Sequence, residues 1–352
     1  MAFLARSKPS YLGIDFGAGG IKLVELMNEK GRARLVTYAF IERPVAEMPH
    51  GYVDDPTATA ELLKKMLKKA KTTTRKAVSA LPIASVFSSI ISVQKSSKRE
   101  ELEQSVQYQA KKLIPLPLEE MSVDWKPLAA PSQDPEEKYL QVLLTGAAKT
   151  LIGKYTGIFA AAGLELLSLE TEALAMIRSL IGRDRSPTLV LDIGTVRTNI
   201  LIVENGIPLV SRSVAQGGAT VTREMSSALG VPEDQAESMK IDASAMAAMY
   251  ENGFPKLFEN ALAPILSELT YSTNLFLGQK ANENKRLDKI ILTGGGALLP
   301  QLADHLSKAM NLRVYIGDPW ARVVYPEALR PVLNQIGPRF AAAVGLAMRD
   351  ID

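Results

Sequence analysis

The chain has 352 residues, 47% of them hydrophobic, with 41 Lys and Arg against 38 Asp and Glu and a net charge of +3. This is globular composition at two-domain length, and the weak positive balance gives no argument for nucleic acid. There is no cysteine and the only histidines are His50 and His305. That excludes thiol chemistry, disulfides, cysteine-based metal sites and multi-histidine centres, leaving carboxylates, Lys, Arg, backbone amides and a carboxylate-held magnesium ion.

The apolar run Met1–Ala5 is too short for a secretory h-region, and no stretch reaches the ~20 apolar residues of a membrane span, so a cytosolic protein is expected. Leu12–Glu25 reads as an apolar strand ending in Asp15-Phe16-Gly17, a turn at Ala18-Gly19-Gly20, and a second apolar strand from Ile21. Glycines in such a turn expose backbone N–H groups that cradle phosphate oxygens, and the strand-end aspartate can hold a hydrated magnesium ion. A single copy is more often a plain β-turn. Gly17–Lys22 misses the dinucleotide fingerprint, because Lys22 takes the place of its last glycine, and there is no Walker A pattern.

Pro56–Ala70 is expected to be a helix capped by Asp55, with Leu63, Met66, Leu67 and Ala70 as its buried stripe. Lys64, Lys65, Lys68, Lys69 and Lys71 crowd its other faces, followed by Arg75 and Lys76. Two readings stand: a solvated face, or a landing patch for acidic headgroups or an acidic partner. Residues 83–163 read as a βαββα module. It comprises strand Phe87–Val93, a helix opened by a Ser97/Glu100 capping box with Leu102, Val106 and Leu113 on its apolar face, strands Val123–Leu128 and Tyr139–Ala147, and helix Leu151–Ala162. Ala130–Pro135 is a polar loop between the last two strands.

Leu189–Val203 repeats the plan of Leu12–Glu25, with Asp192-Ile193-Gly194 at the strand end and Thr195–Arg197 in the turn. The two aspartates lie half a chain length apart, which points to a duplicated α/β unit. Two such hairpins facing each other would grip a nucleotide's phosphate tail from both sides. A helix starting near Pro232 puts Glu237 and Lys240 on one face, as a surface ion pair or a ribose and adenine clamp. Ile290–Leu292 is a buried strand, Thr293–Gly296 a glycine-rich turn, and Leu299, Leu302, Leu306 and Met310 a helical stripe, so a ligand can approach beside a helix N-terminus.

In this order the four elements resemble the actin/Hsp70/sugar-kinase ATPase superfamily, with Glu170–Ala175 and Phe340–Ala347 as the two connecting helices. Within it the chain is most similar to the PilM family of actin-like proteins of type IV pilus machines, with FtsA as the nearest relative. Gly13–Leu26, Ile114–Glu120, Asp192–Gly206, Gly217-Gly218 and Ala343–Arg349 carry the resemblance. It implies an α/β, duplicated RNase H-like actin/Hsp70 ATPase fold with an FtsA/PilM-type 1C subdomain inserted in the first half. The implied division is 1–82 with 164–186 and 338–352 for subdomain 1A, 83–163 for 1C, 187–215 with 265–337 for 2A, and 216–264 for 2B.

The resemblance also implies ATP and Mg2+ as cofactors. Asp15 and Asp192 would hold the magnesium ion through water, and Glu172 would orient the attacking water. Gly17, Gly19, Gly194 and Lys22 would contact phosphates, with Ala18, Gly20, Thr195, Arg197, Gly217 and Gly218 in the same cofactor-binding set. Glu237 and Lys240 would hold ribose and base, and Gly294, Gly295, Gly296 and Leu298 would back the adenosine. Relatives usually carry serines where this chain has Ala18, Gly19 and Gly20, so phosphate binding would rest on backbone donors and any ATPase would be slow, with nucleotide acting mainly as a switch. The implied partner is a PilN-like inner-membrane protein, whose cytoplasmic N-terminal peptide docks in a groove between 1A and 1C. The chain stops at Asp352 without the amphipathic tail of FtsA-like proteins, so a cytoplasmic protein that reaches the membrane only through this partner is expected. Self-association into rings or filaments is open. The alternatives are an FtsA-like division scaffold that polymerises at the membrane, a small-molecule kinase, for which no substrate pocket or base can be read from the sequence, and the cytoplasmic part of a secretion-platform protein, which would require a transmembrane segment not read in this sequence.

Overall fold

The computed structural model describes residues 9–43, 51–96, 98–128, 138–242, 255–279, 282 and 284–351. Met1–Ala5, His50, Ser97, the loop Ala130–Pro135 and part of 216–264 lie outside the described residues.

β1 (Ser10–Gly17), β2 (Gly20–Glu29) and β3 (Arg32–Glu42) form an antiparallel meander. Both faces of β1 and β2 are covered, which is why these two strands read as nearly continuous apolar runs, whereas β3 alternates buried and exposed positions at its start. Leu12, Ile14 and Phe16 face one side, against helix α1 (Pro56–Ala70); Val24 and Leu26 face the other. Asp55 caps α1 by accepting the Ala58 N–H at 2.9 Å, and Leu63, Met66 and Leu67 are buried as the spacing predicts. β4 (Lys76–Leu81) joins β1 in parallel.

A small antiparallel sheet then branches off. It holds β5 (Val86–Gln94), β6 (Met121–Pro127) and β7 (Tyr139–Ala148) in the order β5-β7-β6. Helix α2 (Arg99–Leu113) buries Val106 and Ala110 against Ile91, Val93, Val142 and Leu144. Its start is fixed by Ser96, whose Oγ donates to Glu101 at 2.6 Å and accepts the Lys98 N–H at 3.1 Å. Helix α3 (Lys149–Ala161) was expected within this module, but Tyr155, Ile158 and Phe159 pack into the core of the large sheet beside α1. β8 (Glu165–Thr171) joins β4 in parallel, giving the order β3-β2-β1-β4-β8.

α4 (Glu172–Met176) follows directly, running on as a π turn over Ile177–Ile181. The expected connecting helix began at Glu170. Instead Glu170 and Thr171 end β8, because Thr171 stays extended and its Oγ1 caps the Leu174 N–H. β9 (Thr188–Ile193), β10 (Thr198–Glu204) and β11 (Ile207–Val214) repeat the meander. α5 (Gly218–Leu229), α6 (Glu233–Ile241) and α7 (Lys256–Leu277) come next. β12 (Lys289–Thr293), a 3-10 turn at Gly295–Leu298, α8 (Leu302–Met310) and β13 (Arg313–Ile316) close a second sheet ordered β11-β10-β9-β12-β13. That is the order and sense of β3-β2-β1-β4-β8, so the unit is duplicated. β14 (Val323–Val324) returns to the first sheet beside β3, before α9 (Arg330–Ile336) and α10 (Ala341–Met348).

α4 and α10 cross between the halves. Ala173 and Met176 pack on Val190 and Leu201 of the second sheet, while Val344 and Ala347 pack on Val24 and Leu26 of the first. The crossing is tight: a Cβ on Gly345 would lie 1.8 Å from the Ala175 carbonyl oxygen. Arg178 bolts it, donating to Gly345 O at 2.7 Å and to both carboxylate oxygens of Glu170 at 2.7 and 2.9 Å. Gly345→Ala is therefore expected to cost about 1–3 kcal/mol or more, read as a lower urea midpoint.

Candidate functional site

The turns after β1 and β9 face each other across a cleft of about 1560 Å³. A Cβ on Gly19 would sit 2.1 Å from Thr195 Oγ1, so the hairpin tips meet. Strand register puts a polar pair at the same place in each hairpin: Asp15 opposite Lys22, and Asp192 opposite Asn199. Lys22 Nζ lies 3.2 Å from Asp15 Oδ2, and Asn199 Nδ2 donates to Asp192 Oδ2 at 3.0 Å. Glu172, the first residue of α4, completes the cluster. Its Oε2 accepts the Ile83 N–H at 3.1 Å and Asn199 Nδ2 at 3.5 Å.

Three carboxylates and one ammonium leave this wall short of positive charge. Removal from bulk water, then the charges of Asp15 and Asp192, push the Glu172 carboxyl up to about 8. Burial raises Asp192 to about 6, with the Asn199 hydrogen bond pulling the other way and Asp15 adding to the rise. Burial, Glu172 and Asp15 also push the Tyr155 hydroxyl upward. Both acids hold protons in the fold that the unfolded chain releases nearer pH 4, so their stabilising contribution is complete below that pH and is lost as pH rises through 6 and 8. The ligand-free protein is expected to lose stability across this window, by up to about 1.4 kcal/mol per pH unit for each group. A pH series of urea midpoints checks it, and a flat profile would count against the cluster as described.

The other wall carries α5 and α6. Lys240 Nζ bonds Glu237 Oε2 at 2.6 Å, Thr222 Oγ1 at 2.7 Å and Gly218 O at 3.1 Å, tying the two helices together at the cleft rim. Arg197 Nε donates to Ser213 Oγ at 3.0 Å. Gly294, Gly295, Gly296 and Leu298 line the same cleft, as do Gly17, Ala18, Gly194 and Thr195. Two members of the expected set stand elsewhere. Gly20 lies outside the cleft lining, and a Cβ there would lie 2.0 Å from Ile41 O, so its place is strand pairing with β3. Gly217 also lies outside it, packed 2.6 Å (at its Cβ position) from the Gly194 and Thr195 carbonyls. Gly218 does line the cleft, but its N–H is bonded to Gly194 O at 2.9 Å, and Ala219 N–H to Thr195 O at 2.8 Å. The α5 terminus therefore spends these donors on the second hairpin.

The residues that sequence reasoning missed are Asn199, Ile83 and Tyr155, and the Glu42–Arg339 ion pair, 2.5 Å, at the rim. Asn199 had a signal: it is a buried amide near the start of a mostly apolar strand, in register with Asp192. The others come from remote parts of the chain and carry no local mark. Among the described residues, no three acids or histidines converge closely enough to cage a metal. The charge of this wall is one that a hydrated magnesium ion could balance, and Asp15 and Asp192 are the carboxylates that could hold it through water. Among the described residues, no helix is long and apolar enough to cross a membrane.

Comparison with known proteins agrees with this architecture. A chain of a solved "PilM-PilN type IV pilus biogenesis complex" superposes with a TM-score of 0.83 at 27% identity, covering 97% of this chain and 98% of that one. MreB 5 of Spiroplasma citri bound to AMPPNP superposes with a TM-score of 0.51 at 13% identity, over 96% and 94%, a likeness of fold alone. The cell division protein FtsA of Borreliella burgdorferi is 26% identical over 185 residues, 46% of this chain and 42% of that protein. The chain spans about half the length of the curated relatives it matches. The family model described as "Type IV pilus assembly protein PilM" matches residues 13–351. With the actin-like duplicated fold and that match over nearly its whole length, the chain belongs to the PilM family of type IV pilus assembly proteins.

Proposed function

We propose that this protein is an ATP-binding scaffold of the type IV pilus inner-membrane platform, and that it captures the cytoplasmic N-terminal peptide of a PilN-like membrane protein. The observation that carries the reading is the likeness, over 97% of the chain, to a chain of a PilM–PilN complex. Peptide capture would use a groove between subdomains 1A and 1C, divided as the sequence suggests, except that α3 joins 1A by its packing. The protein would stay cytoplasmic and meet the inner membrane through this partner.

The cleft would take the nucleotide. The turns at Gly17–Gly19 and Gly194–Thr195 face the phosphates, with Lys22 between them and Asp15. Glu237 and Lys240 form the ribose and base wall, and Gly294–Gly296 with Leu298 back the adenosine. Mg2+ supplies charge neutralisation at the phosphates when bound, held by Asp15 and Asp192 through water. Burial and the neighbouring Asp15 and Asp192 push the Glu172 carboxyl up to about 8, a direction that disfavours it as a base in the free protein and fits the reading of a slow ATPase at most. Nucleotide then acts mainly by holding the halves together across the α4–α10 crossing.

A fluorescence titration of the purified chain with the N-terminal peptide of its cognate PilN-like protein, with and without Mg-ATP, tests both parts. Saturable binding supports the platform role, and an affinity that shifts with Mg-ATP supports the switch. Binding in neither state would remove the partner reading.

A further inference from the structure

β1 runs from Ser10 to the cleft at Asp15–Gly17, and α1 runs the opposite way, from just beyond the cleft-lining Tyr52 and Val53 to Lys71. A 15-residue helix covers roughly 22 Å, so the end of α1 lies at the pole of the first half away from the cleft. At that pole Lys68, Lys69, Lys71, Arg75 and Lys76 are all exposed, and none makes an ion pair among the described residues. The β2–β3 turn adds exposed Lys30 and Arg32, held beside the start of β1 by the Asn28 N–H bonded to Pro9 O at 2.8 Å. The acids nearby are Glu165, in register with Lys76, and Glu29, paired with Arg34.

The basic loop is fixed in place. Glu25, fully buried and remote from the cleft, accepts Ser10 Oγ at 3.0 Å, the Thr73 N–H at 2.8 Å and Thr73 Oγ1. Thr37 Oγ1 holds the Ala70 carbonyl at 2.9 Å. Cations in the last turn of α1 complement its dipole, which accounts for Lys68 and Lys69 but not for Arg75, Lys76, Lys30 and Arg32 beyond it.

We propose that this pole is a landing surface for an anionic lipid bilayer. Among the described residues no aromatic side chain is exposed between the cations, so the anchors that protein partners and single-stranded nucleic acids use are missing. A rigid face of like charges suits a plane of many weak anionic groups. Each Lys or Arg held near such a plane multiplies binding about fivefold, within a Debye length. The contact leaves the cleft facing away from the lipid and adds to attachment through a membrane partner without using the cleft.

Sedimentation of the full-length chain with phosphatidylcholine vesicles, with and without phosphatidylglycerol, tests the proposal. Binding is expected to the mixed vesicles only and to fall with salt. The triple variant Lys68→Glu, Lys71→Glu, Arg75→Glu should bind about 100-fold more weakly or worse, with unchanged thermal unfolding. The neutral triple Lys68→Gln, Lys71→Gln, Arg75→Gln should lose less, and it keeps the test valid if charge reversal disturbs folding. Equal binding to neutral vesicles, full binding by the triple variants, or no sedimentation at all would overturn the proposal. So would tighter binding of polyglutamate or an oligonucleotide at the same residues.

Discussion

Replacing Asp192 by Asn is expected to stabilise the free protein at neutral pH and to weaken Mg-ATP binding about 100-fold. The two effects have one cause. Asp192 sits in a wall where Asp15 and Glu172 are also acidic and Lys22 is the nearby ammonium, and its carboxyl is already pushed up to about 6 by burial and by Asp15. Ionising it above that pH costs folding free energy, which the neutral amide avoids, up to roughly 3 kcal/mol. The amide oxygen can still accept from Asn199 Nδ2, so the bond across β9 and β10 survives. What the variant loses is the charge that would hold the cation in the proposed site. Urea unfolding at pH 8 without nucleotide, beside calorimetric titration with Mg-ATP, reads both effects. A variant that is less stable yet binds normally would show that the acidic wall does not serve a cation.

The parts of this site that were legible in the sequence are those in which a local pattern carries the geometry. Asp-x-Gly at the end of an apolar strand marks a turn whose backbone is exposed, and its recurrence half a chain later marks both hairpins; their registers come from the structure. α1 was readable to the residue, because Asp55, Pro56 and the Leu63–Met66–Leu67 stripe agree. Where long-range contact decides, the reading slipped. α3 has an apolar face, but nothing local says whether that face meets the small sheet or the large one; Tyr155 stacked edge-on against Phe16 settles it. Glu170 and Thr171 look helical beside Glu172, yet pairing of β8 with β4 keeps them extended. At Gly20 and Gly217 the missing Cβ makes room for neighbouring backbone, Ile41 O and the Gly194 and Thr195 carbonyls, and the sequence alone cannot say which body a glycine admits.

Substitutions at Glu172 separate charge from structure. Its Oε2 holds the Ile83 N–H, at the start of the short turn Ile83–Ser85 that leads into β5 and the small sheet. The Ile83 side chain packs with Ala173, Val190, Leu201 and Ala341, so this turn touches the connecting helices and the second half at once. Glu172→Gln keeps an acceptor for Ile83 and removes an acid that ionises only above about 8. It is expected to leave stability near pH 5 unchanged, to raise it above pH 8, and to preserve any effect of nucleotide on partner-peptide affinity. Glu172→Ala leaves the Ile83 N–H without its acceptor, at a cost of about 1–3 kcal/mol. It frees the turn, which is expected to uncouple the small sheet from the proposed nucleotide cleft. Amide hydrogen exchange at Ile83 should therefore speed up in the alanine variant and not in the glutamine variant, and the response of peptide affinity to Mg-ATP should disappear only in the former. If the two variants behaved alike, Glu172 would act through its charge alone, and the path from cleft to module would have to run through the α4–α10 crossing instead.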